Sequence, residues 1–499
     1  MPVPAAAGTA LAAGSLNLES PLVLEVARSG AESAIARIVQ LVERAQARKA
    51  PIQGLADRVA GVFAIAVLLL AMATFLFWWL WGAGHWPDLL AAAPPIGHGA
   101  HGAVAHGRGL LGAAATTPLA LALQLSIAVL VVACPCALGL ATPTALTVGL
   151  GRAARAGLLF RGGDAIETAA RLDTVLFDKT GTLTLGRPLV TAVEALAGSE
   201  VALLARAAAL EQQSRHPFAH ALVQEASARA LLLPQVESCH GEVGEGLEGR
   251  LAGVAEPVRV GRLPWLRACG VAVAPTVEAR ASRLESGGAS VLAVAEGPCL
   301  LGLVAVQDQP RSDAAATLAE LRGQGLALGL LSGDRRAGVE CLGLALGLQP
   351  EELAWELRPE QKLARIEARR REGVVAMVGD GINDAPALAA ADLGIAIGTG
   401  TQIAQESAAL VVMGDRLEGI PVALAIARRT MAKVRQNLAW AFGYNLLVLP
   451  IAAGALLPRF GLLLSPPLAA LLMATSSLTV VLNALLLQDG PRTGREPRR

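Results

Sequence analysis

The run Asp178-Lys179-Thr180-Gly181-Thr182-Leu183-Thr184 carries the sharpest chemical signal in the chain. It follows Thr174–Phe177, a short apolar run of β type, so the aspartate sits at a strand tip. A carboxylate in that place can act as a nucleophile toward phosphorus. Thr180 and Thr182 offer hydroxyls to phosphoryl oxygens, and Gly181 lets the backbone come close. A lone aspartate at a strand end is ordinarily a turn or cap residue, but seven residues in this order rarely arise by chance. Two more acids close apolar runs: Leu326–Leu331 leads into Ser332-Gly333-Asp334, and Val374–Val378 into Gly379-Asp380-Gly381. Clustered carboxylates repel one another unless a divalent cation sits among them, and phosphoryl transfer needs that ion. A second constellation, Cys134-Pro135-Cys136, lies inside an apolar run. Proline leaves backbone groups unpaired there, which a bilayer tolerates only where protein or a site lining compensates. Two thiols flanking the break are soft ligands and favour Cu(I) over hard cations.

The elements that must hold these residues fall into two kinds. From Gly151 to Arg435 apolar β-type runs, with Leu393–Ile397 as a fourth, alternate with helix-like patterns. That order predicts a parallel, doubly wound sheet, in which function gathers beyond the carboxyl ends of the strands. The stretch from about Arg187 to Leu303 interrupts it and reads as an inserted domain, helix-rich over Glu200–Ala230 and then glycine-rich with short β runs. Elsewhere, Val59–Pro87, Gly109–Gly151, Gln436–Pro458 and Phe460–Gln488 lack Asp, Glu, Lys and Arg, apart from none at their cores, for long enough to cross a bilayer. Basic residues cluster outside the paired runs: Arg44, Arg48, Lys49 and Arg58, then Arg152, Arg155 and Arg161, then Arg428, Arg429, Lys433 and Arg435, then the tail. The positive-inside rule therefore predicts two hairpins with everything bulky in the cytoplasm. The chain has 499 residues, 54% of them hydrophobic, which excludes disorder and disfavours a purely soluble protein. Acids (41) and bases (42) nearly cancel, so charge gives no case for nucleic acid. Six cysteines in this length are no disulfide framework.

The heptapeptide resembles the phosphorylation motif of P-type ATPases. Met377-Val378-Gly379-Asp380-Gly381-Ile382-Asn383-Asp384-Ala385-Pro386 resembles their hinge and magnesium motif, and Ser332-Gly333-Asp334 is similar to their TGD element. The resemblance covers nearly all of the chain and implies a HAD-like phosphorylation domain with an inserted α+β nucleotide-binding domain, joined to α-helical membrane hairpins. It implies that Asp178 takes the γ-phosphoryl of ATP. Asp178, Asp380 and the Thr180 carbonyl would hold Mg²⁺, Lys362 of Pro359-Glu360-Gln361-Lys362 would neutralise phosphoryl charge, and Asn383 and Asp384 would support the site. Lys179, Thr182, Ser332, Gly333 and Asp334 complete the implied catalytic set. Related soluble phosphatases carry an acid–base Asp two residues after the nucleophile; here that position is Thr180, which argues for a pump.

In the inserted domain, Glu211, His216-Pro217 and Gly244-Glu245-Gly246 look like the nucleotide pocket of heavy-metal P-type ATPases, with Gly261 beyond. Arg215 stands where the family usually has Glu, and Arg262 where it has Asn. Cys134-Pro135-Cys136 matches the family's ion-binding motif. Tyr444-Asn445 and Met473-Ala474-Thr475-Ser476-Ser477 match the signatures of its copper-transporting subgroup, so Cys134, Cys136, Tyr444, Asn445, Met473, Ser476 and Ser477 are the implied Cu(I) ligands. Zinc- and cadmium-type relatives place Lys and Asp in these spans, and none occurs in 436–458 or 460–488. The outer loop with His85, His98, His101 and His106 offers exit-side contact or no ligand duty at all.

The resulting expectation is an ATP-driven Cu(I) transporter, multi-pass in the plasma (inner) membrane, with a cytosolic copper chaperone as a conceivable donor. A Zn²⁺ or Cd²⁺ pump and a non-cycling remnant are the alternatives. The expected layout is a partial actuator domain over 1–57, a membrane pair over 58–150, phosphorylation segments over 151–187 and 304–415, a nucleotide domain over 188–303, a second membrane pair over 416–488 and a tail over 489–499. The family's TGE triplet should precede Met1 and occurs nowhere in the chain, so the 499 residues are expected to turn over poorly alone.

Overall fold

The computed structural model describes residues 50–91, 117–214, 216–242, 245–380, 384–398, 408–414, 416–464 and 466–487. They form two compact units, residues 172–421 and the remainder. The expected actuator segment before Ala50 and the histidines at 98, 101 and 106 lie outside the described residues.

The larger part of the helical unit is built from long apolar helices. Pro51–Phe77 starts on proline, whose fixed φ suits a first helical position. Pro118–Val132 starts on proline too, with the Thr117 hydroxyl accepting from Ala120 N. Cys136–Arg155 follows after a break at Ala133–Pro135 and ends on Arg152 and Arg155, which suit the negative end of its dipole. Arg152 also donates to the Leu487 carbonyl at 2.6 Å, satisfying the end of the last helix, Pro466–Leu485. The third uncharged run is not an independent element. It is the carboxyl-terminal half of a 34-residue helix, Gly419–Ala452, because Arg428, Arg429, Lys433 and Arg435 are good helix formers and end nothing. Among the described residues, Pro51–His85, Pro118–Arg155 and Pro467–Leu485 are long and apolar enough to cross a membrane.

These helices pack through Val67, Ala71, Val129, Val132, Val448 and Leu449, while Val62, Leu68, Leu69 and Met72 of the first helix stay exposed, as a lipid-facing stripe would. At the outer end Trp78 is buried and donates from its indole to the Ala453 carbonyl at 3.0 Å. The helices Cys136–Arg155 and Gly419–Ala452 approach closely at Gly149, where a Cβ would stand 2.4 Å from Thr430 Oγ1. Thr430 is fully buried and its hydroxyl is tied to the Ile426 carbonyl at 2.8 Å.

In the other unit the strands are β1 Thr174–Asp178, β2 Thr184–Ala195, β3 Val236–Glu242, β4 Gly246–Leu251, β5 Val258–Gly261, β6 Ser290–Glu296, β7 Cys299–Pro310, β8 Ala327–Leu331, β9 Leu353–Ala354, β10 Val375–Gly379, β11 Leu393–Ile397 and β12 Leu410–Val412. The order β12-β11-β10-β1-β8-β9 is parallel throughout, as expected of a doubly wound sheet. Its register sets Asp178 opposite Leu331 and Phe177 opposite Val378, so the ends of β1, β8 and β10 are level. β1, β10 and β11 are buried along their whole length, which is why they read as unbroken apolar runs.

The antiparallel sheet β2-β7-β6-β5-β4-β3 is the inserted domain. Helices Glu200–Glu211 and Pro217–Ala228 pack on one face, where Val294 and Val304 meet Leu203, Leu204 and Leu210. Leu263–Ala268 and Pro275–Ser286 cover the other, where Ala293, Ala295 and Leu303 meet Leu266 and Val277. Successive side chains of β6 and β7 thus enter opposite cores. The domain leaves the parallel sheet along β2 and returns along β7, two strands paired side by side.

Candidate functional site

The level strand ends build a cavity of about 250 Å³ walled by Asp178, Thr180, Asp334, Lys362, Asp380 and Asp384, with Ser332 and Gly333 beside them. Lys362 enters from the helix Pro359–Arg370 and its ammonium stands 2.5 Å from Asp178 Oδ1 and 2.7 Å from Asp384 Oδ1. Burial, and next the charge of Asp384, push the Asp178 carboxyl up to about 7, against the pull of Lys362. Burial would lower Lys362, but Asp178 and Asp384 outweigh it and raise its pKa. Lys179 pairs with Asp334, and the Ser332 hydroxyl accepts from Asp334 N at 3.1 Å. Gly181 has φ +74°, and a Cβ there would lie 2.6 Å from Asp380 Oδ2, so only glycine lets that carboxylate rest against the loop. Thr182 is fully buried with its hydroxyl unbonded and is not on the cavity wall. Asn383 lies outside the described residues.

The donor set fits a magnesium ion. Asp178 and Asp380 face one cavity in which acids outnumber bases, and hard carboxylate oxygens suit a hard cation. Among the described residues no group of three His, Cys, Asp or Glu side chains would cage an ion unaided. Mg²⁺ needs no such cage, since it binds through one or two carboxylates with phosphate and water completing its shell.

Sequence reasoning missed two residues here, Asp308 at the end of β7 and Arg311 just after it. Arg311, 6% exposed, donates from Nε to the Thr182 carbonyl at 2.7 Å and from a terminal nitrogen to the Gly181 carbonyl at 2.8 Å. Asp308 accepts from the Thr184 hydroxyl and, at 3.1 Å, from Arg187 N. A buried arginine on backbone carbonyls leaves no periodic trace, and the only signal was an acid–base pair where the domain rejoins the sheet.

In the inserted domain Glu211 is buried at the end of its helix, and burial pushes its carboxyl up to about 7 despite a hydrogen bond with Ser214. The Cys239 thiol on β3 is raised by burial and by Glu211. His216 caps the helix that begins at Pro217, its Nδ1 accepting from Phe218 N at 3.2 Å. Gly246 on β4 lies opposite Gly261 on β5, and both lie under the Trp265 ring, with Cβ positions 2.5 and 2.8 Å from it. Trp265 in turn donates to Glu242. Arg215 and Gly244 lie outside the described residues.

In the helical unit one expectation needs correction. Cys134 and Cys136, read as two free thiols in a chain without disulfides, are joined to each other. The break at Pro135 sets their Cα atoms 5.4 Å apart, near enough for the sulfurs to bond. Tyr444 packs with Val132 and Ala133, the residues just before Cys134. Asn445 and Ser476 are buried, and Met473 and Ser477 are half-buried. The hydroxyls of Tyr444, Ser476 and Thr142, on three different helices, are buried without partners, and Thr142 had not been singled out.

The pattern of haloacid dehalogenase-like hydrolases matches residues 172–392. A crystal structure of a zinc-transporting PIB-type ATPase in an E2.Pi state superposes with a TM-score of 0.69 at 35% identity, covering 93% of this chain and 68% of that one. The chain belongs to the PIB-type ATPases. "Probable copper-transporting ATPase SynA" of Synechococcus sp. is 43% identical over 98% of this chain and 60% of its own length. "Probable copper-exporting P-type ATPase" of Archaeoglobus fulgidus is 39% identical over 98% of this chain and 56% of its own. This PIB-type chain thus spans about 60% of the length of the curated relatives it matches.

Proposed function

We propose that the chain is the catalytic and ion-conducting part of an ATP-driven Cu(I) transporter that works through an aspartyl phosphate. The observation that carries the chemistry is Lys362 bridging Asp178 and Asp384 at the floor of the strand-end cavity. An Asp178 carboxylate oxygen attacks the γ-phosphorus of ATP, the bond to the bridging oxygen of ADP breaks, and ADP leaves with its electrons. Lys362 neutralises the arriving phosphoryl oxygens and keeps Asp178 aimed. Mg²⁺ bound by Asp178, Asp380 and the Thr180 carbonyl would supply further charge neutralisation. Asp334, Lys179 and Ser332 brace the rim, Asp384 braces Lys362, and the resemblance gives Asn383 a supporting role at the same site. Thr180 offers no acid–base carboxylate, so the acyl phosphate outlives the transfer and can drive a conformational step. Glu211, His216, Pro217, Gly244, Gly246 and Gly261 hold the nucleotide, with the Trp265 ring packed on Gly246 and Gly261.

The metal reading rests on Cys134, Cys136, Tyr444, Asn445, Met473, Ser476 and Ser477, a soft and uncharged set that suits a bare monovalent ion. The Cys134–Cys136 disulfide must first be cleaved by a two-electron thiol reductant to free both sulfurs as ligands, and a soft cation held by them would be handed over by a cytosolic copper chaperone rather than arrive free. Zn²⁺ is the second reading, favoured by the zinc-transporting structural relative and opposed by the lack of Lys or Asp in 436–458 and 460–488. Labelling with [γ-³²P]ATP tests the chemistry: acid-stable label is expected, and Asp178→Asn must abolish it. Stimulation of that labelled cycle by Cu(I) but not Zn²⁺ supports copper; the reverse overturns it.

A further inference from the structure

The inserted domain is attached by two strands, and the returning one ends on the phosphorylation loop. β7 terminates at Pro310, and within four residues Asp308 and Arg311 make a set of bonds to residues 179–187. The Asp308 carboxylate takes the Thr184 hydroxyl, which sits 3.1 Å from the Lys179 carbonyl and accepts from Gly181 N at 3.3 Å. Its other oxygen takes Arg187 N. Arg311 forks onto the Gly181 and Thr182 carbonyls, and its own N–H donates to the Leu183 carbonyl at 2.9 Å.

Three consecutive carbonyls of the loop are thereby fixed from one residue. In a trans peptide a fixed carbonyl also fixes the plane of the N–H that follows it. The loop needs such bracing, because Gly181 gives it the widest backbone freedom just where Asp380 leans in. A guanidinium suits the task, since its planar fork can hold two acceptors at once, which an ammonium cannot do with the same rigidity.

We propose that Asp308 and Arg311 are positioning residues for phosphoryl transfer, pinning the phosphorylation loop to the strand on which the inserted domain returns. The seating of β7 then sets the geometry around Asp178, so the hinge of the nucleotide domain and the reactivity of the nucleophile are mechanically one part. This rests on the aspartyl-phosphate reading above. Neither residue touches the cavity wall, so their effect must pass through the loop.

The test uses the full chain in lipid and compares Arg311→Lys, Asp308→Asn and Thr184→Val with the unaltered protein. Phosphoenzyme formation is timed with [γ-³²P]ATP and, separately, with ³²P-acetyl phosphate, a donor without adenosine; ADP affinity is measured alongside. Positioning predicts that Arg311→Lys slows labelling about 10- to 100-fold from both donors. The ATP concentration for half-maximal labelling and the ADP affinity stay unchanged, and the other two variants show the same signature. Unchanged rates overturn the proposal. So does a loss seen with ATP alone, which would make the pair a nucleotide-delivery hinge. Should Arg311→Lys fail to fold, wild-type rates in folded Asp308→Asn and Thr184→Val still overturn it. Absence of label in the unaltered chain would instead overturn the aspartyl-phosphate reading itself.

Discussion

Glu211 is a carboxyl whose folded pKa lies above its unfolded one, the opposite of the common surface case. The folded protein holds that proton up to about pH 7, whereas the unfolded chain releases it near 4.5, the ordinary value for a glutamate. Stability from this group is therefore greatest below pH 4.5 and is lost as pH rises toward 7, by at most about 3 kcal/mol. Glu211→Gln is expected to flatten the pH dependence of nucleotide-domain unfolding between pH 5 and 7.5, as read by urea melts. Lys362 works in the other sense. Removing it as Lys362→Met leaves Asp178 and Asp384 facing each other in a buried cavity, which should cost about 3–5 kcal/mol and abolish labelling. Adding Asp384→Asn is expected to recover most of the stability and none of the label. Asp178 and Asp380 were legible as residues because chemistry at strand tips demands particular types in a particular order, whereas Lys362, on the helix Pro359–Arg370, was legible only through the family resemblance. Asp308 and Arg311 were not, since Arg311 holds backbone carbonyls some 130 positions away that any sequence would provide, and Asp308 meets a hydroxyl and an amide no nearer in sequence than 121 positions.

At the scale of elements, the parallel strands were legible because burial on both sides makes them apolar without interruption. The two limbs of the second hairpin were less so: charge marks where a span ends, not where a helix does, and Gly419–Ala452 runs through both regimes. By resemblance, Gly246 and Gly261 belong to the nucleotide pocket. The Trp265 ring lies on them, so their lack of side chains is first a packing requirement. Gly261→Ala should destabilise the inserted domain by about 1–3 kcal/mol, measured by thermal unfolding, and Trp265→Leu in the same chain should recover part of it.

For the whole molecule, the strand-end cavity and the residues proposed to bind the metal lie in different compact units. Cys134→Ser with Cys136→Ser is expected to remove stimulation by Cu(I) while ADP binding, read by calorimetry, stays intact. Loss of both together would mean that the cysteines serve folding rather than the ion. Within the helical unit, the contact of Gly149 with Thr430 would serve as a fulcrum if the two helices part. Cys136 lies 13 residues from it along one helix and Tyr444 lies 14 residues from Thr430 along the other, giving two lever arms of about 20 Å each. A splay of about 10° about that point would part the arm tips by about 3.5 Å. Because Thr430 is held by its own backbone, even one methyl at Gly149 forces the fulcrum open. Gly149→Ala should therefore weaken metal-stimulated turnover, and Thr430→Ala beside it should restore the grip.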